Sequence, residues 1–345
     1  MERVDASASA APSAAAPADE NAPADGSDRL RVPPYRDAGF YQKRKKGKYR
    51  AVEPPRLEGP VADTHTHIQM LPDQALELAR CAAVGVDFLC VVTDPAEDAA
   101  TVFDGLAAWQ AQAPAALADI APDVSADRLP HVRLAVGVHP HNARLYDDAM
   151  EGLLYRLLAD QRVAALGEIG LDYHYDFSPR ESQRRVFARQ LEIARELGLP
   201  VSLHIREAHD EALAILREVG FPPAGTLLHC CALSREELAP WVDAGCYIAY
   251  GGPLTFKKAD EVREAAALVP EDRLLTETDA PYMTPEPMRG VANTPAHVVF
   301  TAARLAEARG VEPGSARARF LAVLEANARG LLDRPSTLYQ AAHQG

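Results

Sequence analysis

The sequence has no run of about 18 consecutive apolar residues, so no segment is expected to cross a membrane as a helix. No apolar core of a secretory signal follows Met1, and the Asp and Glu residues of the opening stretch argue against an organelle transit peptide. The five cysteines (Cys81, Cys90, Cys230, Cys231 and Cys246) are odd in number and include no CxxC spacing, which excludes a disulfide framework. They are expected to be reduced thiols of a cytoplasmic protein. Cys230 and Cys231 adjoin His229, but two cysteines without a gap make poor chelating geometry. A G-x-G-x-x-G motif is also missing after the first apolar run, which disfavours an open dinucleotide-binding sheet.

The 345 residues suffice for one large domain or two ordinary ones. Residues 6–28, "ASASAAPSAAAPADENAPADGSD", hold almost nothing to bury, and residues 1–59 are expected to form a disordered extension. Charge is uneven. Residues 1–60 carry 11 basic and 9 acidic side chains, whereas the remainder carries 25 basic and 40 acidic ones, a net −15. Such an acidic body speaks against tight non-specific nucleic-acid binding through its general surface. The exception is "KRKKGKYR", residues 43–50, with six basic residues and no acid. It reads either as a solubilising tail or as an arm that holds a polyanion near the body.

From residue 60 one rhythm repeats: a short apolar run, a polar turn, then an amphipathic helical stretch. The runs cover 61–68, 87–92, 132–140, 163–172, 200–207, 225–231, 246–252 and 272–281. Between them lie helical patterns such as 178–198, with Ser178 as cap, Pro179 in the first turn and Gly198 as terminator. Shorter ones follow at 208–219, 234–244 and 256–268. The segment 110–130, rich in Ala, Pro and Asp, reads as a loop. Strands alternating with helices imply parallel pairing, because parallel neighbours need a crossover. Eight such units fit a (β/α)8 TIM-type barrel over residues 60–335, leaving residues 336–345 as a C-terminal tail.

In such a barrel the chemistry lies at the carboxyl ends of the strands, and that is where polar residues interrupt the apolar runs. His65 and His67, two apart, share one face of the first strand. Glu168 interrupts the fourth strand, His204 the fifth, His229 ends the sixth and Asp279 the eighth. Each alone is compatible with a hydrogen-bonded structural role. Six buried titratable groups around one cavity would together cost several kcal/mol each in desolvation unless a charge compensates them. Divalent cations are the economical compensation, since neutral imidazole and carboxylate are their ordinary ligands. Four imidazoles and two carboxylates exceed one tetrahedral shell, whereas two ions sharing a carboxylate fit. Two metals about 3.5–4 Å apart are the usual device for in-line attack on a phosphodiester. Two dications and two carboxylates leave a site of about +2, suited to an anion. A carboxylated lysine bridging the ions from the fourth strand is excluded, because no lysine lies between residues 49 and 256.

These residues resemble the TatD-type metal-dependent deoxyribonucleases. The likeness rests on "DTHTHI", "AVGVHPH", "ALGEIGLDYHYD", "PVSLHIREAHDEALAIL", "GTLLHCC", "CYIAYGGPLTFKKA" and, most densely, "RLLTETDAPYMTPEPMRGVANTPAHV", in order over residues 61–335. The resemblance implies a barrel binding two divalent cations (Mg²⁺, Mn²⁺ or Zn²⁺). His65, His67, Glu168 and Asp279 would hold one ion, and Glu168, His204 and His229 the other, with Glu168 bridging. Asp279 would orient or deprotonate the attacking water, and Arg206 would meet a phosphate oxygen unless it pairs with Glu207 or Asp210. His139, His141 and Asn142 are candidate substrate contacts. Tyr173, Tyr175 and Phe256 are candidates to stack a base, or else pack the loops. The sequence departs from the family pattern in "HCCA" after His229 and in "HIRE" where "HCRE" is common. Residues 1–60 lie outside the resemblance.

The implied activity is a 3′–5′ exonuclease acting on single-stranded DNA, with no membrane and no obligate protein partner. The same ligands would also serve an amide or ester hydrolase such as an aminoacyl-tRNA deacylase, since fold does not fix function. A third reading is a non-catalytic nucleic-acid-binding protein anchored by residues 43–50.

Overall fold

A computed structural model describes residues 31–343. An antiparallel hairpin, β1 (Phe40–Lys43) and β2 (Tyr49–Val52), precedes eight parallel strands. These are β3 (Val61–Thr66), β4 (Val86–Thr93), β5 (His131–Val136), β6 (Val163–Asp172), β7 (Val201–Arg206), β8 (Thr226–Leu228), β9 (Tyr247–Tyr250) and β10 (Leu274–Thr276). They pair in chain order, each with its sequence neighbours. The helices are α1 (Gln74–Val84), α2 (Ala99–Ile120), α3 (Asp148–Leu158), α4 (Arg180–Leu197), α5 (His209–Val219), α6 (Arg235–Asp243), α7 (Asp260–Ala266), α8 (Val298–Ala308), α9 (Ser315–Leu332) and α10 (Leu338–Ala342).

The first and last strands close the ring. Thr66 bridges Ala280 in parallel, Thr64 Oγ1 donates to Thr276 O, and Thr276 Oγ1 donates to Ala62 O. The result is the TIM-type barrel expected from the eightfold alternation. Parallel strands are covered on both sides, so their sequences are nearly continuous apolar runs; all ten residues of β6 are buried. The inner face is lined at one end by Ala62, Phe88, Cys90, Ala135, Leu227 and Leu275, against which α9 lays Leu331 and Leu332.

Four expectations are corrected. The segment 110–130 is not a loop over its whole length, because α2 runs to Ile120 with Pro114 inside it. An interior proline costs about 3 kcal/mol. Good helix-forming alanines and a buried stripe at Val102, Leu106, Ala113 and Leu117, the last packed on Ala79 and Ala82 of α1, offset that cost. Ser178 does not cap α4: Pro179 holds that position, and the Ser178 hydroxyl instead donates to His141 O and accepts from Arg144 N. The extension is not disordered up to residue 59, because Phe40 is buried against His297 and Phe300 at about 5.4 and 5.3 Å; the disorder expected of residues 1–30 lies outside the described residues. Nor is 336–343 a loose tail. Thr337 caps α10, and the buried Gln340 donates from Nε2 to Asp160 O and Val163 O.

Candidate metal centre

The carboxyl ends of the strands surround a cleft of about 760 Å³, and the polar residues reach it by the same alternation that builds the apolar interior. On β8, Leu227 faces inward and His229 is two residues on. On β10, Leu275 is followed at the same spacing by Glu277 and Asp279. These two strands thus turn from aliphatic to polar as they rise, whereas on β3 a register shift between Asp63 and Thr66 intervenes between Ala62 and the histidines. Gly170, at φ +149°, lets β6 lie flush against β7 beside His204, because a Cβ there would sit 2.0 Å from His204 O.

Glu168 occupies the centre. Its Oε1 lies 2.7 Å from His204 Nδ1 and 2.8 Å from His229 Nε2. Its Oε2 lies 3.4 Å from His65 Nε2 and 3.8 Å from His67 Nε2. Asp279 Oδ1 stands 3.6 Å from His67 Nε2 and 4.0 Å from His65 Nε2. Asp279 adopts φ +56°, unusual for a residue with a side chain, and its N–H donates to His65 O at 2.9 Å. All six residues assigned from sequence therefore converge.

The far nitrogens of His67, His65 and His204 each meet a group that fixes the ring, and that of His229 stands near a carboxylate. His67 Nδ1 is 3.1 Å from Val92 O, His65 Nδ1 3.4 Å from Ser202 Oγ, His204 Nε2 3.0 Å from Asp172 Oδ2, and His229 Nδ1 3.4 Å from Glu277 Oε1. This is how metal-binding histidines are oriented in general: one nitrogen is held by an oxygen and the other is presented to the ion. Asp172, Glu277 and Asp63 were not singled out by the sequence reading, although the signal was there. Asp63 and Glu277 stand two residues before His65 and Asp279, and Asp172 stands four after Glu168 on the same strand. Asp63 accepts from Thr278 N, Thr278 Oγ1 and His65 N, tying together the strand ends that carry His65 and Asp279.

The donor set fits divalent cations. His65 Nε2 is buried and has no hydrogen-bond partner. Burial, reinforced by neighbouring His229, pushes the His65 pKa down to about 4, so the ring is a neutral Lewis base. Glu168 is held well below the carboxylate range: burial opposes its charge, but the surrounding histidines outweigh it. Burial likewise opposes charge on His204, yet Glu168 and Asp172 push it up to about 9, and His229 is raised by Glu168 and Glu277. Among the described residues three groups offer ligand atoms within 4.8 Å of one another: His65, His67 and Asp279; His65, Glu168 and His229; and His139, His141 and His204.

The remaining candidates divide. His139, His141 and Arg206 line the cleft, as do Tyr175 and Phe177. Arg206 makes no ion pair with Glu207 or Asp210 and instead lies over the Tyr175 ring, 4.7 Å from its centroid. Asn142 points elsewhere: its Nδ2 donates to Asp94 and Glu97, fixing the His139 loop. Tyr173 is not on the cleft wall either, since its hydroxyl donates to Glu211 and Arg180 covers its ring. Phe256 is buried beneath Arg289.

The pattern of the family described as TatD related DNase matches residues 62–333. The uncharacterized metal-dependent hydrolase YcfH of Escherichia coli (strain K12) is 37% identical over 257 residues, covering 73% of this chain and 89% of that protein. The 3′-5′ ssDNA/RNA exonuclease TatD of Salmonella typhimurium is 37% identical over 215 residues, 60% of this chain and 80% of that protein. Among solved structures, the TatD homolog YJJV of Escherichia coli K12 superposes with a TM-score of 0.67 at 29% identity, over 80% of this chain and 98% of that one. With the family pattern spanning the whole barrel and the centre built from its strand ends, the chain belongs to the TatD related DNase family.

Proposed function

We propose that the protein is a two-cation phosphodiesterase that removes nucleotides from single-stranded DNA in the 3′–5′ direction. The observation that carries this reading is the placement of Glu168, whose two oxygens each face a different imidazole pair, His65 with His67 and His204 with His229. His65, His67, Asp279 and Glu168 would hold one ion, and Glu168, His204 and His229 the other. The mixed histidine and carboxylate set admits Mg²⁺, Mn²⁺ or Zn²⁺. Bound cations supply Lewis acidity toward the phosphoryl oxygen and acidify water.

The chain's own groups do the rest. Asp279 is the carboxylate placed to take the proton of an attacking water. Arg206, without a carboxylate partner among the described residues, and the His139–His141 pair line the cleft and offer donors to phosphate oxygens. Tyr175 and Phe177, stacked at 5.3 Å and half-exposed, present an aromatic face for a base. The direction and the strand preference rest on the named activity of the Salmonella relative. The five free thiols suit a reducing, cytoplasmic location.

The test is hydrolysis of an end-labelled single-stranded oligonucleotide with and without chelator. The expected result is metal-dependent laddering from the 3′ end, abolished in His65→Ala and Asp279→Ala. Cleavage indifferent to both substitutions, or turnover confined to esters and amides, overturns it.

A further inference from the structure

The basic segment at residues 43–50 is not absorbed by the metal centre, and it lies outside the family match, which begins at residue 62. Four of the chain's six lysines fall within residues 43–48. That concentration, on a chain whose remainder is strongly acidic, is not a general solubilising pattern.

The segment is a built element. Lys46 and Gly47, at φ +63° and +70°, turn the chain between β1 and β2, and Arg44 N donates to Lys48 O at 2.7 Å. The turn pushes Arg44, Lys45, Lys46, Lys48 and Arg50 into solvent. Among the described residues no carboxylate lies within 4.0 Å of any of the five. The segment leading into the hairpin is tied to the carboxyl side of the barrel. Arg36 pairs with Asp73, the cap of α1, at 2.7 Å. Arg31 O accepts from Ala292, and neighbouring Asn293 donates to Thr278 O and Pro281 O in the loop that carries Asp279. Apart from the cations proposed for its floor, the cleft is poor in positive charge: Arg206 is the one arginine or lysine among its described lining residues, which also include Glu97, Asp98, Glu207 and Glu237. A polyanionic strand therefore meets repulsion around the mouth and attraction at the hairpin.

We propose that the β1–β2 hairpin is a second, non-catalytic binding site for the backbone of single-stranded nucleic acid, holding the strand while its end occupies the cleft. This rests on the phosphodiesterase reading for its biological use, but the binding itself does not. The exposed tip, residues 44–48, has no apolar side chain to insert into lipid, which disfavours a membrane as the occupant. Tyr35, half-exposed and 4.3 Å from Tyr41, adds an aromatic surface at the hairpin root.

The test compares the full chain with a variant carrying Arg44→Gln, Lys45→Gln, Lys46→Gln, Lys48→Gln and Arg50→Gln. Binding of a fluorescein-labelled 30-nucleotide single strand is followed by anisotropy in EDTA, so that no cleavage occurs. Vesicles of phosphatidylglycerol in phosphatidylcholine serve as a second probe. Each phosphate contact contributes roughly 0.7 to the slope of log K against log salt for single strands. The parent is expected to bind with a slope steeper than the variant's by about 2–3, and roughly tenfold or more tightly at low salt. With metal restored, KM for the 30-mer should rise in the variant while turnover of bis(p-nitrophenyl) phosphate, too small to reach the hairpin, stays unchanged and reports an intact fold. Equal affinity and equal salt slope for the two proteins overturn the proposal, as does a loss confined to the anionic vesicles. Absence of diester turnover by the parent would strike the phosphodiesterase reading alone, because the anisotropy arm is read without metal.

Discussion

The two ends of the barrel are made by the same strands and obey opposite rules. At the amino end the inward positions are Ala62, Phe88, Ala135, Leu227 and Leu275, sealed by Leu331 and Leu332 of α9. Two residues beyond Leu227 and Leu275, these positions become His229 and Glu277. Burial of aliphatic side chains stabilises the first region by about 25 cal/mol per Å² removed from water. Burial of the second region costs free energy until a cation compensates it. One end holds the fold and the other spends part of that stability on chemistry.

Substitutions should separate the ends cleanly. His65→Ala and Asp279→Ala are expected to lower kcat for DNA hydrolysis by about 10³-fold or more, since each removes a group facing the reacting centre. The thermal midpoint of the chelated protein should hardly fall. Leu227→Ala, fully buried at the other end, should cost about 2–5 kcal/mol in denaturant unfolding while the surviving folded protein keeps its kcat. A His65→Ala protein that unfolds like Leu227→Ala would erase the distinction.

Both ends were legible in the sequence to different depths. Alternation gave the strands, and the polar interruptions gave six converging residues, because a period of two places His65 and His67 on one face without knowledge of the rest of the fold. Asp172, Glu277 and Asp63 sit on those same strands, but they act through the proposed ligand residues, and of the three only Asp172 lines the cleft. Their role depends on which ring nitrogen they meet, which spacing does not encode. Asn142 and Tyr173 were misplaced for the complementary reason: loop residues follow local hydrogen bonds to Asp94, Glu97 and Glu211. Pro114 and the alanine-rich composition masked a helix whose buried stripe was nonetheless present.

Next in size is Asp172→Asn. Asp172 Oδ2 lies 3.0 Å from both His204 Nε2 and His141 Nε2, so the substitution removes the charge that orients His204. Groups in that position are worth about 10–100-fold in metal affinity. Titration of the chelated variant with Mn²⁺ should show one weakened site and one near normal. Equal weakening of both, or of neither, would mean that Asp172 serves only the fold.

Removing the metal sharpens the contrast through pH. The folded, metal-free pKa of His204 is pushed up to about 9, above the ordinary 6.5. For a group raised in this way, its contribution to stability is fully present below about pH 6.5 and is lost as pH climbs through about 9. Melting of chelated protein should therefore fall over that window, while metal binding, which competes with protons for the ring, strengthens over it. At metal concentrations about a hundredfold above Kd the loaded protein gains roughly 2.7 kcal/mol. Melting curves that decline alike with and without metal would show that His204 is not a ligand.

Arg206 gives the smallest expected effect and the finest test. It belongs to neither end's core, carries no partner carboxylate among the described residues and rests on the Tyr175 ring at the cleft wall. A guanidinium in that setting contacts a phosphate in the bound state and in the transition state alike, so its loss weakens uniform binding rather than the chemical step. Arg206→Gln should raise KM for a single-stranded oligonucleotide roughly tenfold and leave kcat within about twofold, consistent with one charge-assisted hydrogen bond of about 1.5–3 kcal/mol partly screened by solvent. If kcat fell instead and KM held, the guanidinium would be acting on the charge that develops during cleavage. The catalytic region would then extend from the cluster around Glu168 out to the rim.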